Sequence, residues 1–207
     1  MSDRTPEEIL KGPYGPAPRA AERIFDTARE LFYREGIRAV GVDEIVTKAG
    51  VTKPSLYRSY KSKDELVAAV LREVETGFWE RFEAAEALYP DDPKAQMVAY
   101  FQVLSDRSGG DDYRGCNLSN AVVEYPDRTH AGRMVSQVHK QDLRDRLQAK
   151  AAQMGASDPK ALGDAMMLLI EGVFTSSQMF DGDEKPARAA VGAVKALIAA
   201  YCLNEEP

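Results

Sequence analysis

The sequence has few of the features that mark secreted, membrane and disulfide-bonded proteins. Only two cysteines, Cys116 and Cys202, occur in 207 residues, which is too few for the disulfide framework of a small secreted domain. No stretch approaches the roughly 18 consecutive apolar residues of a membrane-spanning helix. Near the N-terminus, no apolar segment is followed by a cleavage site. These absences predict a cytoplasmic protein that does not bind a membrane.

The signatures of common enzymes are also missing. There is no glycine-rich phosphate loop, no nucleophile elbow and no helical pair of metal-binding histidines. The two histidines, His130 and His139, are separated by about 900° of helical rotation, so they would face opposite sides of one helix and could not share a metal there. The sequence therefore predicts no catalytic residue, no metal site and no cofactor.

Acidic residues outnumber basic ones, yet one stretch of the chain carries basic charges only. The net charge is −6, with 33 acidic and 27 basic residues, a balance that by itself disfavours binding to phosphates. Residues 46–63 nevertheless carry Lys48, Lys53, Arg58, Lys61 and Lys63 and no acidic residue. This stretch alone has a charge of +5, which leaves −11 on the rest of the chain. Because phosphates respond to the local patch that faces them, this segment is a candidate nucleic-acid contact.

Hydrophobic residues, 44% of the chain, recur at helical spacing. In residues 19–35 they fall at Ile24, Ala28, Leu31 and Phe32, and Gly36 follows as a stop signal. Further helices are predicted over residues 42–49, from 52 to about 60, from 62 past 78, from 92 to 104, over Asn117–Glu124, from 128 to about 154, from 158 to about 180, and over 184–203. No strand-like alternation of useful length remains. The sequence thus predicts an all-α protein of about nine helices.

Local signals set the predicted helix boundaries. Ser62 with Glu65 three residues later is the pattern of a capping box. Thr52 is placed to cap a helix that tolerates Pro54 only in its first turn. Polar, glycine-containing residues 105–115 predict a loop. Residues 1–17, rich in proline and glycine, predict a mobile tail outside the fold.

Two short helices joined by a turn at Gly50, the second of them basic, form the pattern of a helix-turn-helix over residues 41–60. With their flanks they resemble the TetR family of transcriptional regulators over residues 18–78. The resemblance rests on Arg23, Ile24, Phe25, Asp26, Leu31, Phe32, Gly36, Ile37, Val42, Ile45, Ala49, Gly50, Val51, Lys53, Leu56, Tyr57, Tyr60, Ser62, Lys63 and Leu66. It implies a three-helix DNA-binding domain over residues 18–78 and a helical effector-binding and dimerisation domain over residues 79–207.

The same resemblance implies which residues contact a double-stranded DNA operator. Base edges would be contacted by Lys53, Pro54, Ser55 and Arg58, with Asp43 as a further reader, and phosphates by Thr52, Tyr57, Ser59 and Lys63. Arg58 is the expected specificity residue, because a guanidinium can bind guanine O6 and N7 together. Lys61 would add charge without fixing the register.

In the C-terminal half the resemblance implies a small-molecule effector of unknown identity and a homodimer. A bundle that binds a small molecule needs an apolar cavity with a few polar groups. The residues expected to line it are Phe78, Trp79, Phe82, Tyr100, Phe101, Leu104, Val123, Glu124, Met166, Met167, Ile170 and Phe174; plain core packing is the alternative for each. The last two helices carry wide apolar stripes and small residues, as a symmetric dimer interface requires.

The function that the resemblance implies is a dimeric repressor that an effector releases from a palindromic operator. Two alternatives on the same scaffold stay open. One is an effector-independent DNA-binding protein. The other is a redox sensor that uses Cys116, which would need a positive group such as Arg114 beside the thiol.

Overall fold

The computed structural model describes residues 19–110, 112–180 and 186–202. Within these residues the chain forms nine α-helices, one 3-10 turn and no strand, so the predicted all-α class is confirmed. The helices are α1 Ala20–Glu35, α2 Val42–Lys48, α3 Lys53–Ser59, α4 Lys63–Ala87, α5 Pro93–Ser108, α6 Asn117–Glu124, α7 Ala131–Gln153, α8 Pro159–Ser176 and α9 Ala190–Tyr201. The predicted N-terminal tail lies outside the described residues.

The turn between α2 and α3 is formed by a glycine that closes one helix and a threonine that opens the next. Gly50 has a φ of +62°, the left-handed conformation that glycine adopts without a steric cost. Its N–H donates to Thr47 O at 3.2 Å, and the next N–H, of Val51, donates to Val46 O at 2.9 Å. This pair of bonds is a Schellman motif. Thr52 then caps α3 by accepting the Ser55 N–H, as predicted.

The start of α4 departs from the predicted capping box. Ser62 accepts the Glu65 N–H at 3.1 Å, as expected. The Glu65 carboxylate, however, accepts the N–H of Lys61 at 2.6 Å and not that of Ser62. The acidic side chain reaches one residue further back, so it satisfies a backbone donor of the segment that joins α3 to α4.

Several C-terminal boundaries also differ from the predictions. The α5 helix continues to Ser108, four residues into the stretch predicted as a loop, because the hydroxyl of Ser108 bonds Ser105 O at 2.7 Å and the buried helical turn persists. The α7 helix begins at Ala131, since Asp127 accepts the N–H and hydroxyl of Thr129 and holds the preceding residues in a turn. The α8 helix ends at Ser176, and α9 is preceded by a 3-10 turn at Pro186–Ala189. The remaining predicted ends, at 184 and 203, lie outside the described residues.

One long helix joins the two halves of the molecule. The buried side chains near the N-terminus, among them Ile24, Ile45, Leu56 and Leu66, pack α1 to α3 against the start of α4. Further along, α4 packs on α5 and α7, while α7 and α8 form the most extensive helix pair. The α4 helix runs from Lys63 to Ala87 without a break and therefore contributes to the packing of both halves.

None of the helices in the described part of the chain is both long and apolar enough to cross a membrane.

Candidate nucleic-acid interface and cavities

One side of α3 is buried and the other is open. Leu56 is fully buried against the N-terminal core and Tyr60 is half-buried, so both contribute to packing. The side chains predicted to contact DNA lie on the open side; Thr52, Lys53, Pro54, Tyr57, Arg58 and Ser59 are exposed and Ser55 is half-buried. Tyr57 keeps 50% of its surface exposed although it is a large ring. The helix therefore presents a polar, positively charged surface with an aromatic ring in it.

Arg58 stands at the centre of this surface without an acidic neighbour. Its Nη2 donates to Ser55 Oγ at 3.1 Å, and Ser55 Oγ lies 3.1 Å from Thr52 Oγ1. No ion pair with a carboxylate is formed by Arg58 in the described part of the chain. Its guanidinium is oriented by a neutral hydroxyl only, so most of its donors remain available to an incoming acceptor.

Lys53 and Asp43, both predicted to read bases, are paired with each other. Lys53 Nζ lies 2.7 Å from Asp43 Oδ1, with the two side chains 51% and 80% exposed. The hydrogen bond to Asp43 and its charge raise the pKa of Lys53. An ion pair this exposed contributes little stability, so Lys53 and Asp43 can part from each other at small cost.

Lys63 has a structural contact that the sequence did not reveal. Its Nζ donates to Ile37 O at 2.6 Å and lies 5.9 Å from the centre of the Phe32 ring. Burial lowers the pKa of the ammonium. One of its three donors thus ties the start of α4 to the loop after α1. The predicted phosphate contact would have to use the other two.

A first cavity, here called the α4/α5 cavity, has a volume of about 390 Å³. It lies between α1, α4 and α5, with Gly115, Cys116 and Phe174 at its far wall. Of the predicted effector residues it includes Phe78, Tyr100, Leu104 and Phe174. Its size falls within the range of small-molecule sites.

A second space, the α6/α8 groove, is open and has a volume of about 610 Å³. It is lined by the predicted residues Val123, Glu124 and Met167 and by the end of α1. The other predicted effector residues line neither space: Phe82, Phe101, Met166 and Ile170 are fully buried in the core, and Trp79 packs against the Arg146 guanidinium at 5.1 Å. The structure therefore distributes the twelve predicted residues over two spaces and the core.

Glu124, at the end of α6, holds the loop that leads from α1 to α2. Its Oε2 accepts the Arg38 N–H at 2.7 Å, and its carbonyl accepts Arg38 Nη1 at 3.3 Å. Gly36 approaches the same carboxylate so closely that an added Cβ would stand 3.3 Å from Oε1, and its φ is +90°. Two features thus favour glycine at this position, the backbone conformation and the close carboxylate.

Arg114 holds the end of α1 itself. Its Nη1 donates to the carbonyls of Tyr33, at 3.2 Å, and Arg34, and its N–H donates to the Tyr33 hydroxyl at 2.7 Å. A guanidinium is favourable there because the last carbonyls of a helix lack intrahelical partners and carry partial negative charge. Sequence reasoning missed this role, since the partners lie about 80 residues apart and no periodic pattern connects them.

Cys116 is buried, and the positive group nearest its sulfur is not the expected one. Lys140 Nζ lies 3.7 Å from Cys116 Sγ, and also 2.7 Å from Glu171 Oε1. The Arg114 guanidinium is engaged with α1 instead. The arrangement supplies the positive neighbour that the redox alternative requires, but from α7.

Comparison with known proteins extends the similarity beyond the N-terminal helices. The sequence model of the bacterial regulatory proteins of the tetR family matches residues 24–70. A TetR-family transcriptional regulator from Streptomyces coelicolor is 31% identical, with a TM-score of 0.83 over 88% of this chain and 96% of that chain. A second solved structure, a tetr-transcriptional regulator from Streptomyces avermitilis, is 26% identical with a TM-score of 0.76, over 89% and 98% of the two chains.

Two curated relatives match this chain over a shorter stretch. The transcriptional activator FasR of Mycolicibacterium smegmatis is 46% identical over 57 residues, which are 27% of this chain and 26% of that protein. The transcriptional repressor BdcR of Escherichia coli is 38% identical over 61 residues, 30% and 31% of the two chains. The chain thus spans about a quarter to a third of the length of these two relatives, and one is named an activator and the other a repressor.

His139 lies in the core between α4 and α7, beside two of the predicted effector residues. It is fully buried, with its ring centre 4.6 Å from that of Phe78 and 5.2 Å from that of Trp79. Glu75 Oε1 lies 3.6 Å from Nδ1, but neither ring nitrogen has a hydrogen-bond partner among the described residues. Burial, with a smaller effect from Lys140, therefore lowers the pKa of His139 to about 4.

Replacing His139 with leucine should flatten the acid side of the stability profile. The unfolded chain binds a proton at His139 near pH 6.5, whereas the folded chain binds it only near pH 4. The stability that depends on a neutral His139 is complete above pH 6.5 and is lost as the pH falls toward 4. Urea unfolding should show a loss of about 2 kcal/mol by pH 5 and about 3 kcal/mol by pH 4 that His139→Leu lacks. Parallel pH profiles for the two proteins would contradict this.

Proposed function

The chain belongs to the TetR family of bacterial transcriptional regulators, and we propose that it is a dimeric repressor which a small-molecule effector releases from a palindromic DNA operator. In this proposal residues 18–78 form the DNA-binding domain and residues 79–207 the effector-binding and dimerisation domain. The observation that carries the proposal is the open, basic side of α3, with Arg58 free of any carboxylate among the described residues. An enzymatic role has no support from the relatives, which are transcriptional regulators.

The α3 helix would enter the major groove of DNA as the second helix of the helix-turn-helix. Arg58 would read a guanine. Lys53 and Asp43 would exchange their mutual contact for base edges, with Pro54 and Ser55 close to the bases. Thr52, Tyr57, Ser59 and Lys63 would contact phosphates, which position the protein without reading sequence.

Dimerisation would bury an apolar groove between α8 and α9. This α8/α9 groove has a volume of about 830 Å³ and is lined by Ala165, Leu168, Leu169, Gly172, Val173, Ser176, Pro186, Ala189, Ala190, Ala193, Ala196 and Leu197. Leu168 is 74% exposed. Gly172 and Gly192 have open space where a Cβ would stand, so helices of a second subunit can approach closely. A two-fold dimer would place two α3 helices on half-sites about one helical turn apart.

Effector binding would reach the DNA-binding helices through the end of α1. Both the α4/α5 cavity and the α6/α8 groove include Tyr33, whose carbonyl and hydroxyl bond Arg114. Glu124 lines the groove and holds Arg38. A ligand that moves α4 or α6 would therefore shift α1 and change the separation of the two α3 helices. By linkage, such a ligand must bind the operator-bound protein more weakly than the free protein.

Repression is proposed because a protein bound to the operator would block transcription. The relatives do not fix it, since both an activator and a repressor share the N-terminal similarity. A redox input is the second candidate, and the contact between Lys140 Nζ and Cys116 Sγ favours it, because reactive cysteines lie beside positive groups. Oxidation at Cys116 would act on the same α4/α5 cavity, which this residue lines.

Selection of bound duplexes from a random pool should return a palindrome. Two variants should then distinguish recognition of a base from non-specific attraction to phosphates. Arg58→Ala should reduce discrimination at one base pair of each half-site by about 1–3 kcal/mol. Lys61→Ala, an exposed neighbour without a predicted base contact, should weaken all duplexes alike and reduce the slope of log K against log salt by about 0.9 per subunit. Affinity measured over a salt series provides both quantities. If the two variants behave alike, or the pool yields no preferred sequence, the proposal fails.

Placing a carboxylate in the α8/α9 groove should separate the subunits. Leu168→Asp leaves the monomer core intact because Leu168 is mostly exposed, but it would bury a charge in the dimer. Sedimentation should show a monomer and at least a tenfold loss of operator affinity, since the two half-sites would no longer be bound together. Val138→Asp, at a residue 60% exposed on α7 outside the groove, is the matched control. A dimeric Leu168→Asp protein would refute this interface.

A further inference from the structure

Two arginines line the α4/α5 cavity without a carboxylate to balance them. The lining includes the cations Arg29, Arg81 and Arg107 and the acids Glu30 and Glu73. Both acids are already paired, Glu73 with Arg29 at 3.2 Å and Glu30 with Arg34 at 3.4 Å. Neither Arg81 nor Arg107 forms an ion pair or a side-chain hydrogen bond with any other described residue. The cavity therefore has an excess of positive charge.

The guanidinium of Arg81 lies on the cavity wall. Its Nη1 stands 3.1 Å from the place where a Cβ of Gly77 would be, and Gly77 itself lines the cavity. The missing side chain at position 77 leaves the space that the guanidinium occupies. Burial of Arg81 and the like charge of Arg107 both lower the pKa of Arg81, as expected when a half-buried cation lies near a second cation. An anion between them would remove this cost.

Two phenol hydroxyls add further donors to the same cavity. Tyr100 is buried and Tyr113 is half-buried, and both line the cavity. Burial raises the pKa of each hydroxyl, so both hold their protons at neutral pH. Neither of these two hydroxyls donates a hydrogen bond to another described residue. An acceptor in the cavity can thus meet guanidinium and hydroxyl donors together.

The rest of the lining is apolar. Val74, Phe78, Val103, Leu104 and Phe174 supply aliphatic and aromatic surface. A ligand that is charged throughout would leave this surface unused, whereas a neutral one would leave the two arginines unpaired. The lining suits a molecule with an anionic head and an apolar body.

We propose that the effector of this protein is an organic anion, a carboxylate or similar oxyanion joined to an apolar group, whose head is bound by Arg81 and Arg107 in the α4/α5 cavity. This inference rests on the proposed effector function and specifies the ligand class of that site. Arg81 and Arg107 are the specificity residues, with Tyr100 and Tyr113 as hydrogen-bond donors to the head.

Calorimetric titration of the DNA-free protein with butyrate, hexanoate and octanoate, each compared with its primary amide, tests the ligand class. The carboxylates should bind about fourfold more tightly for each added methylene while the cavity fills. Each carboxylate should bind at least about tenfold more tightly than its amide, because a hydrogen bond to a charged group is stronger than a hydrogen bond between neutral groups. Equal binding of acids and amides, or no binding by any of the three acids, would overturn the proposal.

Variants locate the anion. Arg107→Gln, at an exposed position that should not disturb folding, and Arg81→Gln should each reduce the preference of octanoate over octanamide at least tenfold. Arg72→Gln, an exposed arginine on α4 outside the cavity, should leave the preference unchanged. A preference that survives both cavity variants would place the anion elsewhere and refute the assignment.

Duplex binding is a second measurement, which distinguishes failure of this proposal from failure of the proposed function. Duplex binding by the same variants without ligand should match that of the unaltered protein, since neither arginine lies near α3. Loss of the acid preference with intact duplex binding would refute the ligand class alone. Absence of any specific duplex binding, with the acid preference present, would refute the regulatory function and leave the anion site standing.

Discussion

The arrangement of the molecule depends on how the C-terminal end of α1 is held. Helix α1 packs against α2, α3 and α4, so its position fixes the position of the helix-turn-helix. Its last carbonyls would be without partners, and they are satisfied by Arg114, from the segment before α6. The adjoining loop is held by the Glu124 carboxylate. The N-terminal bundle is thereby attached to the larger C-terminal bundle by polar contacts that line, or directly adjoin, the α4/α5 cavity and the α6/α8 groove.

Such a junction suits a switch better than an apolar interface would. A buried apolar contact contributes stability in proportion to its area and resists displacement. The hydrogen bonds at this junction are made by the Arg114 guanidinium and the Glu124 carboxylate, and such bonds contribute about 1.5–3 kcal/mol each on balance, so the binding energy of a ligand would be enough to offset the loss of one of them. The continuous α4 helix supplies a second route between the halves, since it carries both Lys63, bound to the loop after α1, and Arg81 in the α4/α5 cavity.

The sequence predicted the elements that depend on local signals. The turn at Gly50, the cap at Thr52 and the span of α6 agree with the structure, because backbone conformation, capping and helical periodicity act over only a few residues. Where a side chain had a choice of nearby partners the prediction was less accurate, as with Glu65, which accepts the N–H of Lys61. Helix ends also differed from the predictions. The α5 helix continues to Ser108 because burial of this turn outweighed the polar composition of the segment.

The candidate sites were less accessible to sequence reasoning. The basic side of α3 was predicted, since it follows from charge segregation and a helix of known start. The pairing of Lys53 with Asp43 and the anchoring of Lys63 were not, because they depend on how α2, α3 and the loop after α1 meet. In the C-terminal half, hydrophobic spacing could not distinguish Phe78, which lines a cavity, from Phe82, which is buried in the core. Arg81 and Arg107 had no local signal, since their importance lies in the absence of acidic partners in three dimensions.

Amide hydrogen exchange in a Glu124→Ala variant tests most directly whether the C-terminal bundle holds the DNA-binding helices. Loss of the carboxylate removes the acceptor for the Arg38 N–H, so residues 36–48 should exchange faster than in the unaltered protein while α9 stays as protected as before. Glu80→Ala, at an exposed position of α4, should leave both regions unchanged. Unaltered exchange across residues 36–48 in Glu124→Ala would contradict the account, because the helix-turn-helix would then be positioned without the contact on which the coupling depends.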